Sequence, residues 1–222
     1  MSTDVDRFLA GKASAQARRA RLIFALDATA SRQPTWDLAC RLQQRMFEEL
    51  VNIGALEVQL VYFRGMAGYD GECKASLWTA PAQLTHIMQT IQCRAGETQI
   101  GKVLTHVINE AQQQPVGALV YVGDAMEEVG QTLITRASMM SVPAFMFQEL
   151  NGELHRSGQM AVEAAYREIA RVSHGAYARF DEGAAHQLGD LLKAVLAFVI
   201  GGVAALEKRK DEASIKLLSQ LK

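Results

Sequence analysis

Three oxygen-bearing side chains follow a short apolar run near the start of the chain: Asp27, Thr29 and Ser31. Their spacing of i, i+2 and i+4 lets one carboxylate and two hydroxyls converge on one point when the loop is extended. Donor sets made only of oxygen favour hard cations such as Mg²⁺, Ca²⁺ or Mn²⁺. The same residue types also cap helices, so this segment alone predicts either a metal site or a helix N-cap.

Two later loops carry side chains of the same kind. Thr98 stands in the sequence GETQIG before a predicted helix, and Asp124 follows a predicted strand at 118–122. Each of them could also be the N-cap of the helix that follows. Glu127 and Glu128 come shortly after Asp124, a pair typical of a solvated helix start, with the rim of a site as the alternative.

Short apolar runs alternate with longer helical patterns, which is typical of βαβ units around a mostly parallel sheet. We expect strands at 22–26, 56–63, 118–122, 142–147 and 176–180, and an antiparallel edge strand at 75–78. Helices are expected after Pro34, from Pro81, from Ile100, and over 127–136, 159–172 and 183–206, the last softened at Gly201 and Gly202. These elements predict a doubly wound α/β fold of about six strands with helices on both faces. In such sheets ligands bind at the carboxyl ends of the parallel strands, where the three loops would lie.

The 222 residues suit a lead-in helix at 1–20, one α/β domain at 21–206 and a charged tail at 207–222. The most apolar segment, 194–206, is shorter than the ~20 residues that span a bilayer, so we expect a buried core helix and no membrane partner. The N-terminus lacks the apolar run of a signal peptide. With reduced thiols at Cys40, Cys73 and Cys93, this predicts a cytoplasmic protein.

The composition and the net charge indicate which classes of protein this chain can belong to. Hydrophobic residues make up 49% of the chain and charged residues 21%, the balance of a soluble globular protein. The formal net charge of −1 argues against nucleic acid as a partner, because nucleic-acid binders normally carry a basic face or stripe.

Taken together and in order, the polar residues resemble the metal-ion-dependent adhesion site (MIDAS) of the von Willebrand factor A (VWA) family. That motif has Asp-x-Ser-x-Ser after the first strand, a Thr in a Gly-rich loop before a helix, and an Asp after a central strand. Here the matching residues are Asp27, Thr29, Ser31, Thr98 and Asp124. GETQIGKVL at 96–104 and AYREIARVSHGAYARF at 165–180 also look like family segments, so the resemblance covers about 20–205 and implies a Rossmann-like VWA fold.

The chain departs from the family motif at three places. Thr29 replaces the usual Ser and adds a methyl group. Gly123 and Ala125 flank Asp124, where Thr-Asp-Gly is more usual. Arg32 follows Ser31 directly and brings a cation close to the expected metal. These differences concern the surroundings of the metal more than the fold.

The resemblance implies a metal-dependent protein–protein interaction in which a Glu or Asp of the partner completes the coordination of Mg²⁺, or of Mn²⁺ or Ca²⁺. It also implies an adaptor role, with an AAA-type ATPase system among the candidate partners. One alternative is the same fold with a degenerate site that binds partners without metal. The other is a metal-dependent phosphohydrolase with Asp27 as nucleophile, which is disfavoured because position i+2 is Thr29 and no phosphate-binding loop is present.

Overall fold

The computed structural model describes residues 20–30, 56–66, 68–150, 156–181 and 185–221. Within them six strands form one sheet: β1 (Ala20–Asp27), β2 (Leu56–Arg64), β3 (Glu72–Ala75), β4 (Ala118–Gly123), β5 (Ala144–Leu150) and β6 (Ala176–Asp181). The helices of this part are α1 (Pro81–Gln89), α2 (Ile100–Gln113), α3 (Gly130–Ala137), α4 (Arg156–Val172), α5 (Ala185–Lys208) and α6 (Glu212–Leu218). The predicted lead-in helix and the helix after Pro34 lie outside the described residues.

The strand order across the sheet is β3-β2-β1-β4-β5-β6. β3 pairs antiparallel with β2 at one edge, and every other pairing is parallel. The chain therefore winds outward from β1 in one direction and from β4 in the other. This confirms the predicted doubly wound sheet, and it puts the topological switch point between the adjacent strands β1 and β4.

Both faces of the central strands are buried. Along β1, Leu22, Phe24 and Leu26 face one hydrophobic core, whereas Ile23 and Ala25 face the other, since side chains alternate along a strand. Helices α1, α5 and α6 contribute to the first core, and α2, α3 and α4 contribute to the second. Burial on both faces is the reason why these strands read as continuous apolar runs in the sequence.

Two of the differences from the predicted element boundaries lie near the candidate site. The antiparallel edge strand is Glu72–Ala75 rather than 75–78, although Ser76 still contacts β2 by accepting a hydrogen bond from the Leu60 N–H at 3.0 Å. Helix α3 begins at Gly130 rather than at 127. The residues before it hydrogen-bond to another part of the chain, as described below.

Helix α5 carries the apolar segment near the C-terminus. Of the segment 194–206, which the sequence predicts to be a buried core helix, Ala194, Val195, Leu196 and Leu206 are buried, whereas Ile200 and Val203 are exposed. Gly202 interrupts it with φ 65° and ψ −162°, a conformation that glycine adopts readily, as the sequence predicts for this position. The helix is longer than the predicted apolar segment: within the described residues, His186–Lys208 is long and apolar enough to cross a membrane by length and composition alone, and 39% of its apolar stretch is buried.

The predicted charged tail contains helix α6. Asp211 is its N-cap and accepts a hydrogen bond from the Ser214 N–H at 2.9 Å, and Leu217 is fully buried in the first core. Beyond the helix, Gln220 pairs with the backbone of Tyr177 on β6. The Tyr177 N–H donates to Gln220 Oε1, and Gln220 Nε2 donates to the Tyr177 carbonyl, both at 2.9 Å. Gln220 thus satisfies backbone groups that an edge strand leaves open.

Candidate metal centre

Asp27 is the last residue of β1, and its loop is held on two sides. The Thr29 N–H donates to Asp27 Oδ1 at 2.8 Å, which orients the carboxylate. The Ala28 N–H donates to the Phe63 carbonyl of β2, and the Ala28 carbonyl accepts from the Arg94 N–H, both at 3.0 Å. The loop after β1 therefore lies between the end of β2 and the loop before α2. Ser31 and Arg32 lie outside the described residues.

The loop that carries Thr98 is fixed to the ends of β2 and β3. Gly96 packs so closely on Gly65 that a Cβ atom at position 96 would lie 2.3 Å from the Gly65 nitrogen, so glycine is required there. The Glu97 N–H donates to the Gly65 carbonyl at 3.2 Å. Buried Gln99 donates from Nε2 to the carbonyls of Arg64 and Glu72, at 3.3 and 3.4 Å.

Two glutamates join this loop to the segment after β4, and we call them the Glu127–Glu128 clamp. Thr98 and Glu127 exchange two hydrogen bonds: the Thr98 N–H donates to Glu127 Oε2 at 2.9 Å, and the Glu127 N–H donates to Thr98 Oγ1 at 3.1 Å. Glu128 accepts from the N–H groups of Ile100 and Gly101 in the first turn of α2. The pair therefore does not start a helix, since α3 begins at Gly130, and although Glu127 is exposed, both carboxylates lie beside Thr98 as the alternative of a site rim predicts.

Helix α2 depends on this clamp for its N-terminal capping. Its own N-cap residue, Gln99, makes no side-chain capping bond, so Glu128 supplies the negative charge that the helix N-terminus favours. Burial raises the pKa of Glu128, although the hydrogen bonds from Gly101 and Ile100 and the charge of Arg136 oppose the rise. Thr98 does not act as the N-cap, and its hydroxyl faces the segment after β4.

Asp124 directly follows β4, one strand away from Asp27. The last residue pair between β1 and β4 joins Leu26 to Val122, so both carboxylates lie just beyond it. The N-cap of α3 is Val129, so Asp124 does not cap that helix. The four described members of the predicted set are buried polar residues at the same edge of the sheet, with exposed fractions as follows: Asp27 2%, Thr29 7%, Thr98 4% and Asp124 2%.

The chemistry of these donors fits a hard cation. The set is made only of oxygen, with two carboxylates and two hydroxyls, and Mg²⁺, Mn²⁺ and Ca²⁺ are the cations that such donors bind. Among the described residues, no group of three or more His, Cys, Asp or Glu side chains could hold a metal ion. A site here would therefore depend on the threonine hydroxyls, and the role of the predicted residues as ligands stays a prediction.

Three residues shape this edge through contacts that the sequence does not predict. The sequence marks Glu127 and Glu128 as a helix start or as the rim of a site but indicates no partner for them, and it does not mark Tyr166 at all. The Tyr166 hydroxyl donates to the Ala125 carbonyl at 2.9 Å, from 41 residues further along the chain. No local signal marks these contacts, because each one joins segments that only the tertiary fold brings together.

Comparison with known proteins shows the fold. No protein-family model and no curated protein matches the chain in sequence. Among solved structures, a protein from Bacteroides fragilis described as an aerotolerance-related membrane protein matches with a TM-score of 0.57 and 19% identity. That match covers 81% of this chain and 98% of the other.

Two further structures match over parts of longer proteins. The von Willebrand factor type A protein from Catenulispora acidiphila has a TM-score of 0.59 at 12% identity, over 83% of this chain and 43% of its own. The pilus adhesin SpaC from Lactobacillus rhamnosus GG has a TM-score of 0.64 at 9% identity, over 83% of this chain and 31% of its own. At these identities the likeness concerns the fold alone. The chain thus has a VWA-type fold, as the sequence resemblance implies.

Proposed function

We propose that this chain binds a divalent cation between the carboxyl ends of β1 and β4 and uses it to bind an acidic side chain of another protein. The observation that carries the proposal is the position of four buried oxygen-bearing residues, Asp27, Thr29, Thr98 and Asp124, at the topological switch point. Open α/β sheets bind their ligands at this place.

The chain's own groups are suited to hold a small cation. Asp27 and Asp124 place two buried carboxylates at the ends of adjacent strands. Thr29 and Thr98 add neutral hydroxyls, and Ser31 adds a third by the family resemblance. A bound Mg²⁺ or Mn²⁺ would offset the charge and, with an incomplete set of protein ligands, supply an electrophilic centre for a partner's carboxylate.

The loops that carry these donors are held by contacts that do not use the proposed cation. The Thr29 N–H orients the Asp27 carboxylate, and the Glu127–Glu128 clamp holds Thr98. Such a pre-arranged set loses little conformational entropy on binding, which favours affinity. The clamp also ties Thr98 to the segment that begins with Asp124. The positions of these two donors relative to each other are therefore fixed.

Features of the same edge favour a protein over a small substrate. Exposed large apolar side chains occur on the β2–β3 loop, before α3 and early in α4: Met66, Tyr69, Val129 and Met160. A partner protein that docks at this edge would cover these side chains. The pocket beside Thr98 has a volume of about 240 Å³, which is smaller than the roughly 300–1,000 Å³ of drug-sized ligand sites.

Calorimetric titration of the metal-stripped chain with Mn²⁺ and Mg²⁺ tests the cation. We expect one saturable site in the wild type and its loss in Asp124→Asn, because that substitution removes one of the two charges. Asp181→Asn is the matched control, since Asp181 also ends a parallel strand at this edge but is exposed. A wild type without saturable binding up to millimolar metal would overturn the proposal in favour of metal-free partner binding.

A second titration tests the partner chemistry. A peptide with one glutamate should bind the Mn²⁺-loaded chain, and the same peptide with glutamine should not. Removal of the metal with a chelator should abolish the binding. Mg²⁺-dependent hydrolysis of a generic phosphate monoester that is lost in Asp124→Asn would instead support the phosphohydrolase.

A further inference from the structure

The turn that carries Asp124 packs against two buried tyrosines. Gly123 ends β4 and is one of the positions where the chain departs from the family's Thr-Asp-Gly pattern. A Cβ atom on Gly123 would lie 2.9 Å from both Cε1 and Oη of Tyr121, and 3.1 Å from Oη of Tyr166. Two phenol groups therefore fill the space that a side chain at position 123 would need.

These tyrosines belong to a column of three buried rings. Tyr121 lies beside Gly123 because residues two apart on a strand face the same side. Its ring stacks on Phe63 of β2, with centroids 6.2 Å apart, and meets the ring of Tyr166 edge-on at 5.5 Å. All three side chains are fully buried. Burial, the neighbouring Tyr166 hydroxyl and the charge of Asp27 hold the pKa of Tyr121 well above its usual value, so its hydroxyl stays protonated.

Tyr166 links this column to the backbone next to Asp124. Its hydroxyl donates to the Ala125 carbonyl at 2.9 Å. The Ala125 carbonyl belongs to the peptide unit between Ala125 and Met126, one unit beyond the one that joins Asp124 to Ala125. The hydrogen bond from helix α4 therefore restrains the backbone that leaves Asp124.

We propose that Tyr166 is a positioning residue for the candidate metal centre, and that Tyr166 and Tyr121 together take the space that a larger residue at position 123 would fill. This inference rests on the proposed function. Groups that orient a metal ligand typically change metal affinity by about 10–100-fold when they are removed. Tyr166 would act through Asp124 and would not contact the metal.

If Tyr166 and Tyr121 occupy the space beside Gly123, replacing Gly123 with the threonine of the family motif should weaken metal binding. Gly123→Thr should weaken Mn²⁺ affinity by at least about 10-fold, since its Cβ has no room beside the two rings. In a Tyr121→Leu background the same change should cost clearly less, because the smaller side chain leaves space. If the fold-changes of the two single variants simply multiply in the double variant, this part is overturned.

The closing experiment measures the Mn²⁺ dissociation constant of the full chain as wild type, Tyr166→Phe and Tyr177→Phe. Tyr177 is the matched control: it is a buried tyrosine whose hydroxyl donates at 2.7 Å to the side chain of Gln148, on the strand that pairs with Gly123, and not to the backbone of the Asp124 turn. We expect Tyr166→Phe to bind Mn²⁺ about 10-fold more weakly, whereas Tyr177→Phe binds like the wild type. The thermal midpoints of the two metal-free variants should fall by similar small amounts.

The outcomes separate the two proposals. Equal dissociation constants for all three proteins, with binding still lost in Asp124→Asn, would overturn the role of Tyr166 and leave the proposed function standing. Equal weakening in both tyrosine variants would show a general effect of stability and would also overturn it. A wild type that does not bind Mn²⁺ would overturn both proposals.

Discussion

Helices α2 and α6 both begin at a carboxylate, but the two carboxylates come from different distances along the chain. The first turn of α2 donates to Glu128, which lies 28 and 27 residues away from Ile100 and Gly101. The first turn of α6 donates to its own N-cap, Asp211, through the Ser214 N–H at 2.9 Å. One cap depends on the fold being formed, and the other is local.

The environments of the two carboxylates differ as well. Burial dominates at Glu128 and raises its pKa. At Asp211 burial also opposes ionisation, but the hydrogen bonds from Ser214 and the charge of Arg209 outweigh it, so its pKa lies below the ordinary value. Ionisation of Glu128, which joins two loops, is therefore unfavourable in the folded chain. Ionisation of Asp211, the local cap, is favourable.

The largest expected effect is that of Glu128→Ala. It leaves the N–H groups of Ile100 and Gly101 without their acceptor, which should lower the free energy of unfolding by about 2 kcal/mol. Urea unfolding at pH 7 measures this value. Mn²⁺ affinity should fall too, because Thr98 loses part of its support. A variant with unchanged stability would show that water replaces the carboxylate.

Removal of the local cap should cost less. Asp211→Ala is expected to lower the free energy of unfolding by about 1 kcal/mol, the usual value for a lost N-cap. Mn²⁺ affinity should not change, because α6 packs against β6 and α5 rather than beside the loops of the candidate site. A change in Mn²⁺ affinity as large as that in Glu128→Ala would contradict the separation of the two regions.

The pH dependence of the two caps should have opposite signs. Because the pKa of Glu128 is raised in the folded chain, its contribution is complete below the ordinary value of 4.5 and declines as the pH rises through the folded value. Because the pKa of Asp211 is lowered, its contribution is complete above the ordinary value of 3.8 and is lost as the pH falls through the folded value. Unfolding curves of the wild type, Glu128→Gln and Asp211→Asn between pH 2 and 7, compared as differences from the wild type, should show the two trends. If the stability differences of Glu128→Gln and Asp211→Asn changed with pH in the same direction, the contrast between the two caps would be refuted.

The smallest effect is expected for Gln220→Ala. This substitution removes the two hydrogen bonds that the Gln220 amide makes with the backbone N–H and carbonyl of Tyr177 at the edge of β6. Because Gln220 is exposed, water can replace its amide, and the loss should be only about 0.5 kcal/mol. The open edge should also favour self-association, which sedimentation at increasing concentration would detect. Gln220→Glu keeps the acceptor but not the donor and should give an intermediate result.

Much of the fold was predictable because it follows from local patterns. The apolar runs at 22–26 and 118–122 indicate strands buried on both faces, and such strands occur in parallel sheets with helices on each side. Asp27 and Asp124 directly follow those runs, so their place at the carboxyl edge follows from the sequence as well. Helix α6 was missed because a helix of seven residues among charged side chains has little periodicity, although Asp211 followed by Ser214 is a capping signal.

The sequence by itself thus determined the strands, their mostly parallel arrangement and the oxygen-bearing residues after β1 and β4, because each of these depends on neighbours within a few positions. The tertiary structure alone decided that Thr98 pairs with Glu127, that Glu128 caps α2 and that Tyr166 supports Ala125. These contacts join residues 27 to 41 positions apart. They exist only because the strand order makes β1 and β4 neighbours and packs α2, α3 and α4 on one face of the sheet.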